Sequence, residues 1–195
     1  VPVRATVLRQ EPGLTIYSCS GTPTACAKLG LERYMPRTPD LMVSGINHGD
    51  NSSVCVHYSG TMGAIIEGCI QGIPGIGYSL CTRSQHCDFA PYEQVVADVA
   101  RKVLQHGLPQ DVFLNVNFPE VPVLKGVRWC RTGRGKWVEE WADQKEPDTY
   151  RMTGYYVSLE PEAPDTDTWA LANGFASVVP HTLDMTAYDY LASHF

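Results

Sequence analysis

Residues 44–61, which share "SGI" with the end of the apolar run "DLMVSGI" and precede the apolar pattern "GAIIEGCI", read "SGINHGDNSSVCVHYSGT". A tight connection between two elements needs roughly two to five residues, and this stretch spends eighteen, mostly Gly, Ser, Asn and Thr. Such a segment constrains both of its neighbours. The composition of "DLMVSGI" suits a short strand buried on both faces of a parallel sheet. In "GTMGAIIEGCIQGIPGI", Ala64, Ile65, Ile66, Cys69 and Ile70 fall at helical spacing, with Gly72 and Pro74 at the end. Strand, long polar connection and helix in that order define one unit of a layered α/β fold.

The alternation extends over residues 14–117. "LTIYSCS" predicts a strand, and "GTPTACAKLGLERYM" a helix with Thr22 as N-cap and Pro23 at its first position. "GIGYSL" and "DVFLNVNFP" predict strands on either side of the amphipathic helix "PYEQVVADVARKVLQHG". Gly60, Gly63 and Gly68 lower helix propensity, which predicts close approach of that helix to another part of the chain. After residue 120 the texture changes. "GVRWCRTGRGKWVEEW" predicts a hairpin around residues 133–135, and "TYRMTGYYVSL" a further strand. "TDTWALANG" and "FASVVP" predict a short helix and a final strand. We therefore expect an α/β core with a mostly parallel sheet over residues 1–120, an extended β-hairpin arm over 121–160, and a return to the core over 161–195. An arm of that size cannot carry its own core, so it is expected to pack on a second subunit.

Apolar residues make up 44% of the chain and charged residues 18%, which suits a packed globule. No window reaches the roughly 18 apolar residues of a membrane span. A net charge of −6 argues against a polymeric nucleic acid as partner, since such binders present a basic face. The seven cysteines are scattered with no C-x-x-C pair, a pattern of free thiols in a reducing compartment. The chain opens on Val1 with no signal-peptide pattern, and we expect further residues ahead of it in the encoded polypeptide.

The polar stretch lies where open α/β sheets bind ligands, at the C-terminal end of a strand. "YSGT", residues 58–61, falls at the start of a helix, where free N–H groups and the helix dipole attract an anion. Ser59 and Thr61 add hydroxyl donors, and Gly60 lets a phosphate approach the backbone. No Walker A loop is present. Asn47 and Asn51 offer uncharged oxygens and Asp50 a carboxylate, the donors that a hard cation such as Mg²⁺ or Mn²⁺ takes. One asparagine cannot hold such an ion alone. Two hydrolase alternatives are weaker. Ser59 lacks the G-x-S-x-G elbow because His57 occupies the first glycine position, and Cys55 two residues from His57 shows no sign of an activated thiol.

"VSGINHGDN", "YSGTMGAIIEG" and "IPGIGYSL" together resemble the central signature of the SurE family, the survival-protein nucleotidases. "YSCSGTPTACAKLGL" resembles the family's S-G-T-P-A-D-C-V segment. "TDTWALANGFASVVPHTLDMT" resembles its C-terminal T-D-x-x-A segment, strand and D-L-T ending. The resemblance implies a cytoplasmic phosphomonoesterase that uses one Mg²⁺ or Mn²⁺ per subunit to hydrolyse nucleoside 5′- and 3′-monophosphates. It also implies a Rossmann-like three-layer core, and an arm exchanged within a homodimer or tetramer. By position, Asn47 would bind the metal, and Asn47, Ser59 and Thr61 would form the catalytic group. Ser59, Gly60, Thr61 and Asn51 would hold the phosphate, while Gly45, Gly49 and Asn51 shape the loop. His181 is a weak candidate acid, better explained as a packing residue. Family members carry an Asp-Asp-Gly segment that supplies the main metal carboxylates, and these 195 residues contain no adjacent aspartates. If that segment does not precede Val1, a phosphate- or nucleotide-binding module without catalysis is the alternative.

Overall fold

A computed structural model of the chain describes residues 2–82, 84 and 86–194, so Val1 lies outside it. An antiparallel hairpin comes first, β1 (Ala5–Glu11) and β2 (Leu14–Cys19), turning at Gly13. In α1 (Pro23–Leu29) the Thr22 hydroxyl accepts from the Ala25 amide at 3.3 Å, and the helix then widens into a π turn, Gly30–Tyr34. Next come β3 (Met42–His48), a 3₁₀ helix (Ser53–Tyr58), α2 (Gly60–Ile70), β4 (Gly75–Cys81), α3 (Glu93–His106) and β5 (Val112–Pro119). The remaining elements are β6 (Val127–Trp129), β7 (Gly135–Val138), β8 (Trp141–Asp143), β9 (Tyr150–Met152), β10 (Tyr155–Ser158), α4 (Asp167–Ala172), β11 (Ala176–Thr182) and α5 (Tyr188–His194).

The central sheet has the order β3-β4-β5-β11-β6. Only the β5–β11 pair is antiparallel. One face carries Ile76, Tyr78, Leu80, Leu114, Val116, Phe118 and Val178 against Val99 and Val103 of α3. On the other, Met62, Ile65 and Cys69 of α2 pack with Phe113, and Ala170 of α4 packs with Val179. These three layers match the expected α/β class. Each fully buried Ile, Leu or Phe contributes roughly 1.5–3 kcal/mol relative to exposure, so the centre of stability lies in β4 and β5.

The glycines of α2 answer their own question. A Cβ at Gly63 would lie 2.8 Å from the Thr24 hydroxyl, and one at Gly68 2.5 Å from the Met42 sulfur. The helix is thus seated against α1 and β3 at distances that side chains would forbid.

Three expectations need correcting. β3 is not buried on both faces: it is the edge of the described sheet, and Val43 is 56% exposed. No hairpin forms around residues 133–135. β6 joins the central sheet beside β11, while β7 pairs with β10 across the chain. Pairing of Val127–Trp129 with Ala176–Val178 recruits the strand to the main core, which a local hairpin could not offer. The strand predicted over "TYRMTGYYVSL" is divided into β9 and β10 at Gly154, where φ is +100°.

Candidate active site

The site begins in the sheet. Asn47 of β3, Ser79 of β4, Asn117 of β5 and Ser177 of β11 are register partners, forming one polar row across four strands. Asn115, two residues before Asn117, adds a fifth polar group on the same face. All but Asn47 are fully buried. They are accommodated because the chain lays its polar stretch directly on them. The Asn51 amide donates to Asn117 Oδ1 at 3.0 Å and its side chain to Ser79 Oγ at 2.7 Å. Asn115 Nδ2 donates to the Asn51 carbonyl, and Asn117 Nδ2 to Asn115 Oδ1, each at 2.8 Å. Buried amides that satisfy one another in this way fix a backbone more sharply than apolar contact does. The Ser177 hydroxyl has no hydrogen-bond partner among the described residues.

Above this floor the loop is shaped by two glycines in left-handed conformations, Gly45 at φ +112° and Gly49 at φ +127°. A side chain at Gly45 would strike the Tyr78 carbonyl of the next strand. Asn47 Nδ2 donates to the Gly49 carbonyl at 3.1 Å, which leaves its Oδ1 as the oxygen available to a ligand. Asp50 accepts from the Ser52 amide at 2.7 Å. Asn51, Ser52 and Ser53 are nearly inaccessible. The structure thus places Asn51 in the floor, with its side chain on Ser79.

The 3₁₀ helix runs straight into α2. Ser59 caps that helix, its hydroxyl oxygen accepting from the Met62 amide at 3.1 Å. Among the described residues, the Gly60 and Thr61 amides have no acceptor, as expected for the first turn of a helix. Gly60 is exposed and Ser59 and Thr61 half-exposed. Two free amides, two hydroxyls and the positive end of an eleven-residue helix form a ready anion cradle.

The alternative nucleophile is poorly prepared. Cys55 is buried, its sulfur accepts from Trp137 Nε1 at 3.4 Å, and burial pushes its thiol up. His181 stacks on Phe113 with ring centroids 5.6 Å apart; its Nε2 is buried without a partner, and burial lowers it to about 4. It is a packing residue.

As for the metal, Asn47 supplies one amide oxygen, and no three His, Cys, Asp or Glu side chains gather as ligands among the described residues. That donor set does not fit a hard divalent cation by itself, since such ions take six or more oxygens including carboxylates.

The sequence reading missed Asn115, Asn117, Ser79, Ser53 and Asp167. The first two carried a signal: "LNVNF" alternates amide and apolar side chains in a strand, which puts both amides on the face opposite Val116.

An open α/β sheet with a polar loop at its strand ends and an anion cradle at a helix start defines a phosphate-handling α/β protein. The chain belongs to the SurE family: residues 1–139 match the family model described as Survival protein SurE. It is 49% identical over 190 residues to 5′-nucleotidase SurE of Phocaeicola vulgatus, covering 96% of this chain and 74% of that relative. With 5′-nucleotidase SurE of Bacteroides thetaiotaomicron the identity is 48% over 193 residues, covering 97% and 74%. The crystal structure of the SurE protein from Aquifex aeolicus superposes with a TM-score of 0.78 at 32% identity, covering 98% of this chain and 78% of that one.

Proposed function

We infer that this chain is a phosphomonoesterase that hydrolyses nucleoside 5′-monophosphates to nucleoside and phosphate, with 3′-monophosphates as further substrates. The observation that carries this is the anion cradle at the start of α2, in a chain whose relatives over nearly its whole length are 5′-nucleotidases. The Gly60 and Thr61 amides and the Ser59 and Thr61 hydroxyls would hold the phosphoryl oxygens and stabilise charge developing on them. The buried floor keeps these donors in place before substrate arrives, which removes an ordering cost from binding.

The SurE family is metal-dependent, and Asn47 is our candidate for one oxygen donor to a Mg²⁺ or Mn²⁺ ion. The carboxylate ligands of the family come from its Asp-Asp-Gly segment, which the 195 residues do not contain. The exposed aromatic residues of the β8–β9 ribbon support an arm-mediated homodimer. Among the described residues no helix is long and apolar enough to cross a membrane. All seven cysteines are free, which supports a reducing compartment, and we place the activity in the cytoplasm.

Hydrolysis of AMP and GMP with Mg²⁺ or Mn²⁺ is the direct test, on the full encoded protein and on its Asn47→Ala and Thr61→Ala variants. Both variants are expected to lose at least 10²-fold in kcat/KM, the scale of removing one preorganised donor. Undiminished turnover in Asn47→Ala would reject the assignment. A second reading, nucleotide binding without hydrolysis, is favoured by the incomplete cation site. It predicts calorimetric binding of AMP by residues 1–195 with no phosphate release, and metal-stimulated hydrolysis by those residues alone would eliminate it.

A further inference from the structure

A second buried polar junction lies beyond the floor, where three distant segments meet at Ser53. This serine opens the 3₁₀ helix with φ +50°, a conformation that a non-glycine residue keeps only where its surroundings fix it. Its amide donates to Asp167 Oδ2 at 2.8 Å. Asp167 Oδ1 accepts from the Gly133 and Thr168 amides, both at 2.8 Å. The Ser53 hydroxyl donates to the Gly133 carbonyl at 2.6 Å and accepts from the Tyr156 hydroxyl at 2.7 Å. Tyr156 stands on β10 and its neighbour Trp137 on β7, so both come from the β7–β10 ribbon. Trp137 makes a second tie, to Cys55 in the same 3₁₀ helix. Asp167 is fully buried and Ser53 is 1% exposed.

We propose that Asp167 is a positioning residue, which clamps the start of the 3₁₀ helix to the foot of the β7–β10 ribbon and thereby sets the anion cradle at its far end. The lever is short. Ser53 begins a six-residue helix whose next residue is Ser59, the cap of α2. A shift at Ser53 is carried along that helix into the Gly60 and Thr61 amides, while Asn51 on the other side is held by the floor. One carboxylate taking amides from the loop, the ribbon foot and α4 allows the cradle one setting, and only when the ribbon is seated. The inference rests on the phosphatase reading for its ligand class, but its primary readout does not require turnover.

The test is the dissociation constant for inorganic phosphate, by calorimetry with Mg²⁺ present, alongside KM for AMP and thermal stability. Tyr156→Phe removes one hydroxyl and keeps the ring. It is expected to weaken phosphate binding and raise KM by about 3- to 10-fold, the equivalent of one hydrogen bond. Asp167→Asn sets an NH₂ against an amide donor and is expected to cost about 10- to 100-fold in the same two constants. Tyr155→Phe, on the adjacent position of β10, should change neither. A merely structural role would lower the folded fraction and apparent kcat while leaving the phosphate constant and KM at wild-type values, and that result overturns the proposal. Should Asp167→Asn fail to fold, Tyr156→Phe alone decides in the same way. A wild-type protein that binds phosphate without releasing it from AMP would sink the phosphatase reading and leave the clamp to be judged by the phosphate constants. A wild-type protein that does not bind phosphate overturns both.

Discussion

Residues 51–53 and the β8–β9 ribbon invert each other. Asn51, Ser52 and Ser53 are polar and 5%, 1% and 1% exposed, whereas Trp141, Tyr150 and Met152 are apolar and 63%, 58% and 70% exposed. Hydropathy alone would have exchanged their places. The loop is buried because its polar atoms find partners: Asn117, Asp50 and Asp167 accept from its three amides, Asn115 donates to the Asn51 carbonyl, and Gly133 and Tyr156 pair with the Ser53 hydroxyl, so desolvation is compensated. The ribbon is exposed because strands of three residues paired only with each other have no core to enter. One region has its hydrogen bonds completed within the chain, and the other presents apolar surface that the chain does not cover.

If that contrast is right, removing a floor amide should cost more than any change to the ribbon. Asn117→Ala deletes the acceptor of the Asn51 amide and the donor to Asn115, leaving two buried polar groups unpaired. We expect a loss of about 3 kcal/mol by urea denaturation, from roughly 1–3 kcal/mol for each orphaned group. A loss under about 1 kcal/mol would mean that water enters and takes over, and that the floor is not closed.

A smaller effect is expected from acid. His181 is neutral in the fold, lowered to about 4 by burial and secondarily by His57, against 6.5 for a free imidazole. The unfolded chain therefore binds the proton first as pH falls. The stability this residue confers is complete above about pH 6.5 and declines down to about pH 4, reaching about 2 kcal/mol lost at pH 5. His181→Leu should flatten that slope between pH 8 and 5. An unchanged slope would assign it to other groups.

Much of the frame was legible because hydrophobic period and punctuation agree with the fold. Thr22 with Pro23, Gly72 with Pro74, and the apolar faces of "AIIEGCI" and "VVADVARKVL" mark elements where the structure has them. The start of α2 at Gly60 could be placed because a helix start is a local property. The floor could not be placed so easily, since Asn47, Ser79, Asn117 and Ser177 meet only through register across four strands. The same holds for Asp167, 114 residues from its partner Ser53. β6 was misassigned for the mirror-image reason: a local hairpin signal at residues 133–135 was outweighed by pairing with a strand about fifty residues on. β1 and α5, also not anticipated, contain little apolar alternation and are mostly exposed.

The ribbon supplies the smallest effect on the fold and the sharpest test of the contrast. Trp141→Ser with Met152→Ser alters a directly opposed pair on β8 and β9 whose side chains point away from the core. If the ribbon's apolar surface belongs to a subunit contact, these changes should leave the stability of the isolated chain within about 0.5 kcal/mol, as for surface substitutions generally. The sedimentation coefficient should fall from that of a dimer to that of a monomer, because an exposed aromatic anchor is where interface energy concentrates. A double variant that stays dimeric places the contact elsewhere. One that unfolds as a monomer, several kcal/mol below wild type, shows that the ribbon completes this chain's own core, and the contrast with residues 51–53 is then one of degree.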